Sequence, residues 1–244
     1  MNKTGISWTD RTWNPVSGCS KVSPGCQNCY AEYLTVHRFH RSFDMKLRPE
    51  KLKEVRNIPA GSRVFVNSMS DLFHEDVPLF FIRDIFHAMN TRPDVTFQIL
   101  TKRPERARTF FEVYSYGPDF KKADNVWLGV SIEMQAYVKR LNVLKAINCV
   151  PVKFVSFEPL LENITAVNLQ GIDWIIIGGE SGPKHRPFKE EWAEHLLTMA
   201  KAQGVAVWMK QLGGHKPGTA LEDLPEHLRI REFPGVRIKE SVNQ

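Results

Sequence analysis

Three cysteines carry the most specific chemistry in this sequence. Cys19, Cys26 and Cys29 lie in the run Gly18-Cys19-Ser20-Lys21-Val22-Ser23-Pro24-Gly25-Cys26-Gln27-Asn28-Cys29-Tyr30, a C-x6-C-x2-C pattern. Thiolates are soft ligands that suit iron–sulfur clusters, zinc or Cu(I), and a C-x2-C pair brings two sulfurs to one metal centre. Pro24-Gly25 offers the tight turn that brings Cys19 back. Three thiolates leave a cubane with one iron that lacks a protein ligand. Such an iron can chelate the amino and carboxylate groups of S-adenosylmethionine (SAM) and pass an electron to its sulfonium. The expected cofactors are therefore a [4Fe-4S] cluster and SAM. Structural zinc is the competitor and needs a fourth ligand. His37 and His40 are the nearest candidates, but both fall on the helix expected after Cys29 and read first as surface or nucleic-acid-facing residues. The absence of a second C-x2-C or a paired C-x2-H favours the cluster. Cys149 stands apart, before the apolar run Val150 to Val155, and is expected to be a small buried hydrophobe.

The elements that must position these thiols alternate between short β-like runs and longer helix-like stretches. Strands are predicted at Arg63 to Val66, Thr96 to Leu100, Val126 to Val130, Lys153 to Ser156, Trp174 to Ile177 and Val205 to Met209, with a weaker first element near Gly5 to Thr12. Apolar residues at three-to-four-residue spacing predict helices over Leu79 to Met89, Tyr137 to Ile147 and Trp192 to Ala202. This order predicts about seven βα units and an α/β fold, a parallel, partial barrel with helices outside. Almost every strand ends in polar or glycine residues: Asn67-Ser68-Met69-Ser70-Asp71, Thr101-Lys102-Arg103, Ser131-Ile132-Glu133, Ser156-Phe157-Glu158, Gly178-Gly179-Glu180-Ser181-Gly182 and Lys210-Gln211. In a parallel barrel such ends converge on one rim, where active sites are built. The barrel is expected over residues 1–212. From Gly213 onward, Pro217, Gly218, Pro225, Pro234 and Gly235 predict an appendage of short elements over 213–244.

With 244 residues, 42% of them hydrophobic, the chain can bury a substantial core. No apolar run reaches the ~18 residues of a membrane span, and the N-terminus lacks signal-peptide character, so a cytoplasmic protein without a membrane partner is expected. A formal charge of +6 and a pI near 9.1 favour an anionic partner, nucleic acid being the common one; a merely solvated basic surface fits the dispersed charge equally.

The early three-cysteine loop followed by a parallel α/β array with polar strand ends resembles the radical SAM superfamily. More narrowly, Ile6-Ser7-Trp8-Thr9-Asp10, Thr12-Trp13-Asn14-Pro15, Ser23-Pro24-Gly25-Cys26, Ser70-Asp71-Leu72-Phe73 and Leu100-Thr101-Lys102-Arg103 resemble a phage and prophage family with this three-cysteine motif, distantly similar to spore photoproduct lyase. The resemblance implies a TIM-type barrel in which Ser131 and Glu133 meet the ribose and methionine of SAM. Ser68 and Ser70 replace the usual glycine-rich contact to the SAM amino group. Lys102 or Arg103 is a candidate to pair with its carboxylate. Gly178-Gly179-Glu180 stands at the sixth strand rather than the second, so the family's role is not carried to it; by their own chemistry Gly179 lets backbone approach a ligand and Glu180 can accept hydrogen bonds from ribose, adenine or substrate. The first cysteine gap is longer than the superfamily's C-x3-C, and Asn28 stands where an aromatic residue usually precedes the last cysteine, with Tyr30 just after it.

Tyr30, Trp8, Trp13 and Phe73 are candidates to stack on a base or adenine, whereas Trp208 reads as core. Glu158 and Lys210-Gln211 are candidates to face the substrate, and Lys184, His185, Arg186 and Lys189 to form a basic lip. The leading expectation is an enzyme that cleaves SAM reductively with an external electron donor and takes hydrogen from a nucleobase or nucleotide unit of phage or host nucleic acid. Two alternatives stay open. One is a non-catalytic iron–sulfur or zinc protein that binds nucleic acid or a partner protein. The other is a metal-independent nucleotide hydrolase or transferase using Glu133, Glu158 and Glu180 as acid–base groups.

Overall fold

The computed structural model describes residues 2–114 and 123–235. Its strands are β1 (Asn2–Lys3), β2 (Arg11–Trp13), β3 (Val16–Ser17), β4 (Lys46–Leu47), β5 (Arg63–Val66), β6 (Thr96–Thr101), β7 (Val126–Ser131), β8 (Val152–Phe157), β9 (Trp174–Gly178) and β10 (Ala206–Gln211). Seven of them form one parallel sheet in the order β2-β5-β6-β7-β8-β9-β10, with β1 antiparallel on the β2 edge. The sheet curls into a half-barrel. No strand pairing joins β10 to β2 among the described residues, so the ring that a complete barrel requires is open.

Alternation along the strands explains the two cores. Val64, Val66, Phe97, Ile99, Leu128, Val130, Val155, Phe157, Ile175, Ile177, Val207 and Met209 face the helices and merge with their buried stripes. These helices are α2 (Leu79–Asn90), α3 (Pro104–Tyr114), α4 (Arg140–Lys145) and α5 (Glu190–Ala202), which follow α1 (Tyr30–Tyr33). The intervening positions Phe65, Trp127, Phe154, Trp174, Ile176 and Trp208 join Trp8 in a separate aromatic core on the concave face. Gly129 is required there, because a Cβ would lie 2.5 Å from the Phe154 ring. Further along the same strands the concave positions turn polar, at Ser131, Ser156, Glu158 and Lys210. The half-barrel thus has an aromatic floor and a polar upper part.

Several expectations need correction. Trp8, Trp13 and Phe73 are at most 2% exposed and belong to the cores, which removes them as stacking platforms. The helix expected over Tyr137 to Ile147 shortens to α4, because the chain before it makes a 3-10 turn at Gln135–Tyr137. Gln135 is held there by Glu162 through its N–H and by Thr165 and Ala166 through its side chain, partners that helical periodicity does not reveal. The crossover from β8 to β9 contains no helix; Leu160, Ile164, Val167, Leu169 and Ile172 fill the corresponding core space instead. Cys149 is half-buried rather than sealed, and packs against the edge of the helix-side core.

The segment after Gly213 is tied closely to the sheet. Met209 N–H donates to the Ile230 carbonyl at 2.9 Å and Glu232 N–H to the Val207 carbonyl at 2.8 Å, so residues 230–232 run antiparallel along the open β10 edge. Phe233 then packs 4.7 Å from Trp208 and 5.5 Å from Trp174, ring centre to ring centre, and completes the floor.

Candidate functional site

The cysteines occupy a long excursion between β2 and β5, closed at its neck by the β3–β4 ladder. Gly18 opens the excursion with φ +80°, a left-handed conformation, and its N–H donates to the Met69 carbonyl at 3.2 Å. Cys19 N–H donates to the Phe43 carbonyl at 3.2 Å. Pro24–Cys26 form the expected tight turn, and α1 starts directly after Cys29.

Contacts to strand ends hold this loop over the polar end of the half-barrel. After β6, Arg103 donates from Nη2 to Ser20 Oγ at 2.9 Å and to the Ser20 carbonyl at 3.2 Å, while its Nη1 lies 3.6 Å from Cys19 Sγ. After β7, Gly25 sits so close to Glu133 that a Cβ would lie 3.0 Å from its carboxyl group. After β9, Glu180 accepts from Asn28 Nδ2 at 2.9 Å. After β5, the Ser68 carbonyl accepts from the Tyr30 hydroxyl. His74 adds a further tie: its Nδ1 accepts from the Asp76 N–H at 3.2 Å, which leaves Nε2 to donate to Ser20 Oγ at 2.8 Å.

The charges around the thiols are arranged in layers. Arg103 is 6% exposed and pairs with Asp71 at 3.2 Å and with both oxygens of Glu75 at 3.1 Å. Burial alone lowers its proton affinity, but the charges of Asp71, Cys19 and Glu75 outweigh that and raise it. Burial, then the Asp71 carboxylate, pushes the Cys19 thiol from 9.0 up to about 11, against the pull of Arg103. Cys29 is also raised, chiefly by burial, with Lys102 acting in the opposite direction. The Tyr30 hydroxyl is raised by burial and then by Cys29 and Glu158, although the residue as a whole is 43% exposed. Because the thiolate is the nucleophile, alkylation of Cys19 by iodoacetamide in the metal-free protein is expected to keep accelerating above pH 9 and to reach half its maximal rate only near pH 11. Peptide mapping by mass spectrometry would read this, and a plateau already reached at pH 9 would contradict it.

All three thiols are free of disulfides. Among the described residues no three His, Cys, Asp or Glu side chains converge closely enough to hold a single metal ion. His37 and His40 are exposed and add no fourth ligand. The charge on Cys26 nevertheless acts on both Cys19 and Cys29. In an iron–sulfur cluster each thiolate binds its own iron, so the ligands need not share one coordination sphere. Three thiols on one loop are a soft donor set, but among the described residues they are not gathered into a metal site.

The structure uses several expected ligand groups as scaffold. Ser68 Oγ donates to Asn14 Oδ1 and Ser70 Oγ to the Val16 carbonyl, at 3.2 and 2.9 Å. The Ser131 carbonyl and Glu133 Oε2 both accept from Arg140 Nη1, at 2.7 and 2.8 Å. Gly179 approaches the chain's own backbone at Gly213, where a Cβ would lie 2.3 Å from the nitrogen. Burial acts to raise the Glu180 carboxyl, but the hydrogen bonds from Arg186 and Asn28 saturate it and hold it below the ordinary range. Arg186 is thereby withdrawn from the basic lip. Groups still open are Lys102, which is in no ion pair among the described residues, and Glu133 Oε1, which is fully buried without a partner beside Gly25. On the concave face Lys210 pairs with Glu158 at 2.7 Å, and Ser156 Oγ donates to Glu158 at 3.0 Å.

Ser20, His74, Glu75 and Arg140 are missing from the sequence-derived site. For His74 and Glu75 the one visible signal is the density of polar residues after β5, from Ser70 to Asp76. Residues 3–240 match the family model described as Protein of unknown function (DUF5131). The chain belongs to that family. No curated protein and no solved structure matches it significantly. In this DUF5131 member, then, the cysteine loop and the strand ends beneath it are the basis for a functional reading.

Proposed function

We propose that the protein is a radical SAM-type enzyme on a partial TIM-type barrel, with a [4Fe-4S] cluster on Cys19, Cys26 and Cys29, acting on a nucleobase or nucleotide unit. The phage three-cysteine resemblance belongs to the same proposal. The observation that carries it is the tying of a three-thiol loop, by contacts to four separate strand ends, over the polar end of a parallel half-barrel. When bound, the cluster would relay an electron from an external donor to SAM, giving methionine and a 5′-deoxyadenosyl radical that takes a hydrogen atom from the substrate.

The chain's own residues supply the remaining requirements. Arg103 beside Cys19 and Lys102 near Cys29 offset the negative charge of ligating thiolates. Lys102 is also free to meet a carboxylate, and the open Glu133 Oε1 to accept from an amino or hydroxyl group. Tyr30 flanks the loop with a partly exposed ring suited to stacking. Glu158, Lys210 and Ser156 give the concave face a preset polar triad for orienting a substrate. The Trp and Phe floor keeps water out from below.

The test is anaerobic reconstitution with iron and sulfide, reduction with dithionite in the presence of SAM, and chromatography for 5′-deoxyadenosine. Wild-type protein is expected to form it, and Cys26→Ala to form none. Tightly held stoichiometric zinc with no deoxyadenosine would overturn the proposal in favour of a non-catalytic metalloprotein.

A further inference from the structure

A groove of about 490 Å³ lies beside the cysteine loop, and apart from Lys102 and Arg103 its lining takes no part in the proposed SAM chemistry. Its walls come from Val22 of the loop, Glu75 after β5, the start of α3, and the turn that leads into α4. Five cationic side chains and two carboxylates line it. Two of the cations, Arg103 and Arg140, are already neutralised by Asp71, Glu75 and Glu133. The other three are not. Lys102 and Lys139 are in no ion pair among the described residues, and Lys139 is exposed. Arg106 spends Nη2 on the Val77 carbonyl, while its Nε is buried with no acceptor.

Three cations in no ion pair outnumber the one lining carboxylate in none, Glu105, among the described residues, so the concavity favours an anion. The N-terminal end of α3, an 11-residue helix, opens on the same groove and adds its partial positive charge. Tyr137 gives it an aromatic wall, with the Arg140 guanidinium 4.3 Å from the ring centre. Phosphate with an attached base or sugar matches a cationic concavity with an aromatic wall better than a carboxylate does. We propose that the groove binds phosphate groups of a single-stranded nucleic acid, and that Lys102, Arg106 and Lys139 are the residues that do so. Arg103 forms the partition between this groove and the cysteine loop, with one edge lining the groove and Nη1 3.6 Å from Cys19 Sγ. A strand held in the groove would lie on the other side of Arg103 from Cys19. This rests on the nucleic-acid part of the functional reading but not on its SAM chemistry.

The test is fluorescence anisotropy with a labelled oligonucleotide of about 12 nucleotides, DNA or RNA, at several salt concentrations, on metal-free and on reconstituted protein. Lys102→Ala/Lys139→Ala is expected to weaken binding at least about tenfold at low salt. It should also flatten the salt dependence by about 0.7 in log–log slope for each phosphate that is no longer neutralised. Lys201→Ala, an exposed position on α5, is the matched control and should bind as wild type. Arg106→Ala should weaken binding as well, with circular dichroism checking that it folds. Inorganic pyrophosphate and a nucleoside monophosphate are the competitor arms. Variant-dependent binding of either, without oligonucleotide binding, would overturn the strand assignment and make the groove a free-nucleotide site. Oligonucleotide affinity unchanged in the double variant would overturn the groove altogether. Deoxyadenosine formation is scored separately, so groove-dependent binding without it would sink the SAM reading alone.

Discussion

Arg103→Met is expected to lower stability by about 3–5 kcal/mol, because it strips a buried carboxylate of its cation while keeping the volume. Asp71 is 6% exposed and would retain only Thr101 Oγ1, the Lys102 N–H and the Phe73 N–H. For a domain of this size the deficit corresponds to a fall in melting temperature of roughly 10 °C. The same substitution frees Ser20 and removes the cation beside Cys19. Iron incorporation on reconstitution should therefore fall beyond what the loss of fold explains. Adding Asp71→Asn should recover part of the stability but none of the tie to the loop. Equal melting temperatures for wild type and Arg103→Met would show that the buried pair contributes nothing.

Gly18→Ala should be nearly as costly, at about 3 kcal/mol, and its damage should be local. At φ +80° a side chain is strained, and its Cβ would lie 2.0 Å from the Asp44 carbonyl oxygen, a backbone atom that cannot swing aside. The loop has to move, and the ladder that closes its neck moves with it. Hydrogen exchange at Cys19 and Gly18 is the direct readout, since the Cys19 amide is bonded across the excursion to Phe43 and the Gly18 amide to Met69 after β5. Fast exchange there, with the β6–β8 amides still protected, is the expected pattern. Unchanged protection of Cys19 would mean that the neck tolerates the methyl group. The paired outcomes separate two ways of disabling the cysteine site, through its charge partner and through its hinge.

The sequence reveals strands far better than it reveals partners. Arg63–Val66 is predictable to the residue because apolar runs bounded by polar groups are a local property of a buried parallel strand. α3 escapes prediction although Ala107, Phe110, Phe111 and Tyr114 have helical spacing, since its charged first turn masks the stripe. The cysteines are legible from spacing alone. What holds them is not: Asn28 meets Glu180 across 152 positions, and Ser20 meets His74 across 54. Polar strand ends read as ligand groups, yet many of them serve the irregular excursion, whose backbone and loop groups need partners that no regular ladder supplies. Ser68, Ser70 and Glu180 fall into this class for the same physical reason. The segment after Gly213 is another such case, because nothing in a Gly- and Pro-rich stretch announces that it will align with an open edge.

The aromatic floor also has a bearing on how the protein is made. Trp8, from the start of the chain, lies 6.1 Å from Trp174, whose other neighbours include Trp208 and Phe233. Trp208 also donates to Ser7, across 201 positions. Contacts this distant in order cannot form early on the ribosome, where the helices and adjacent strands emerge first. The aromatic floor is therefore complete only once Phe233 has been synthesised. The cysteine loop at the opposite end would overlie a finished floor only at that final step.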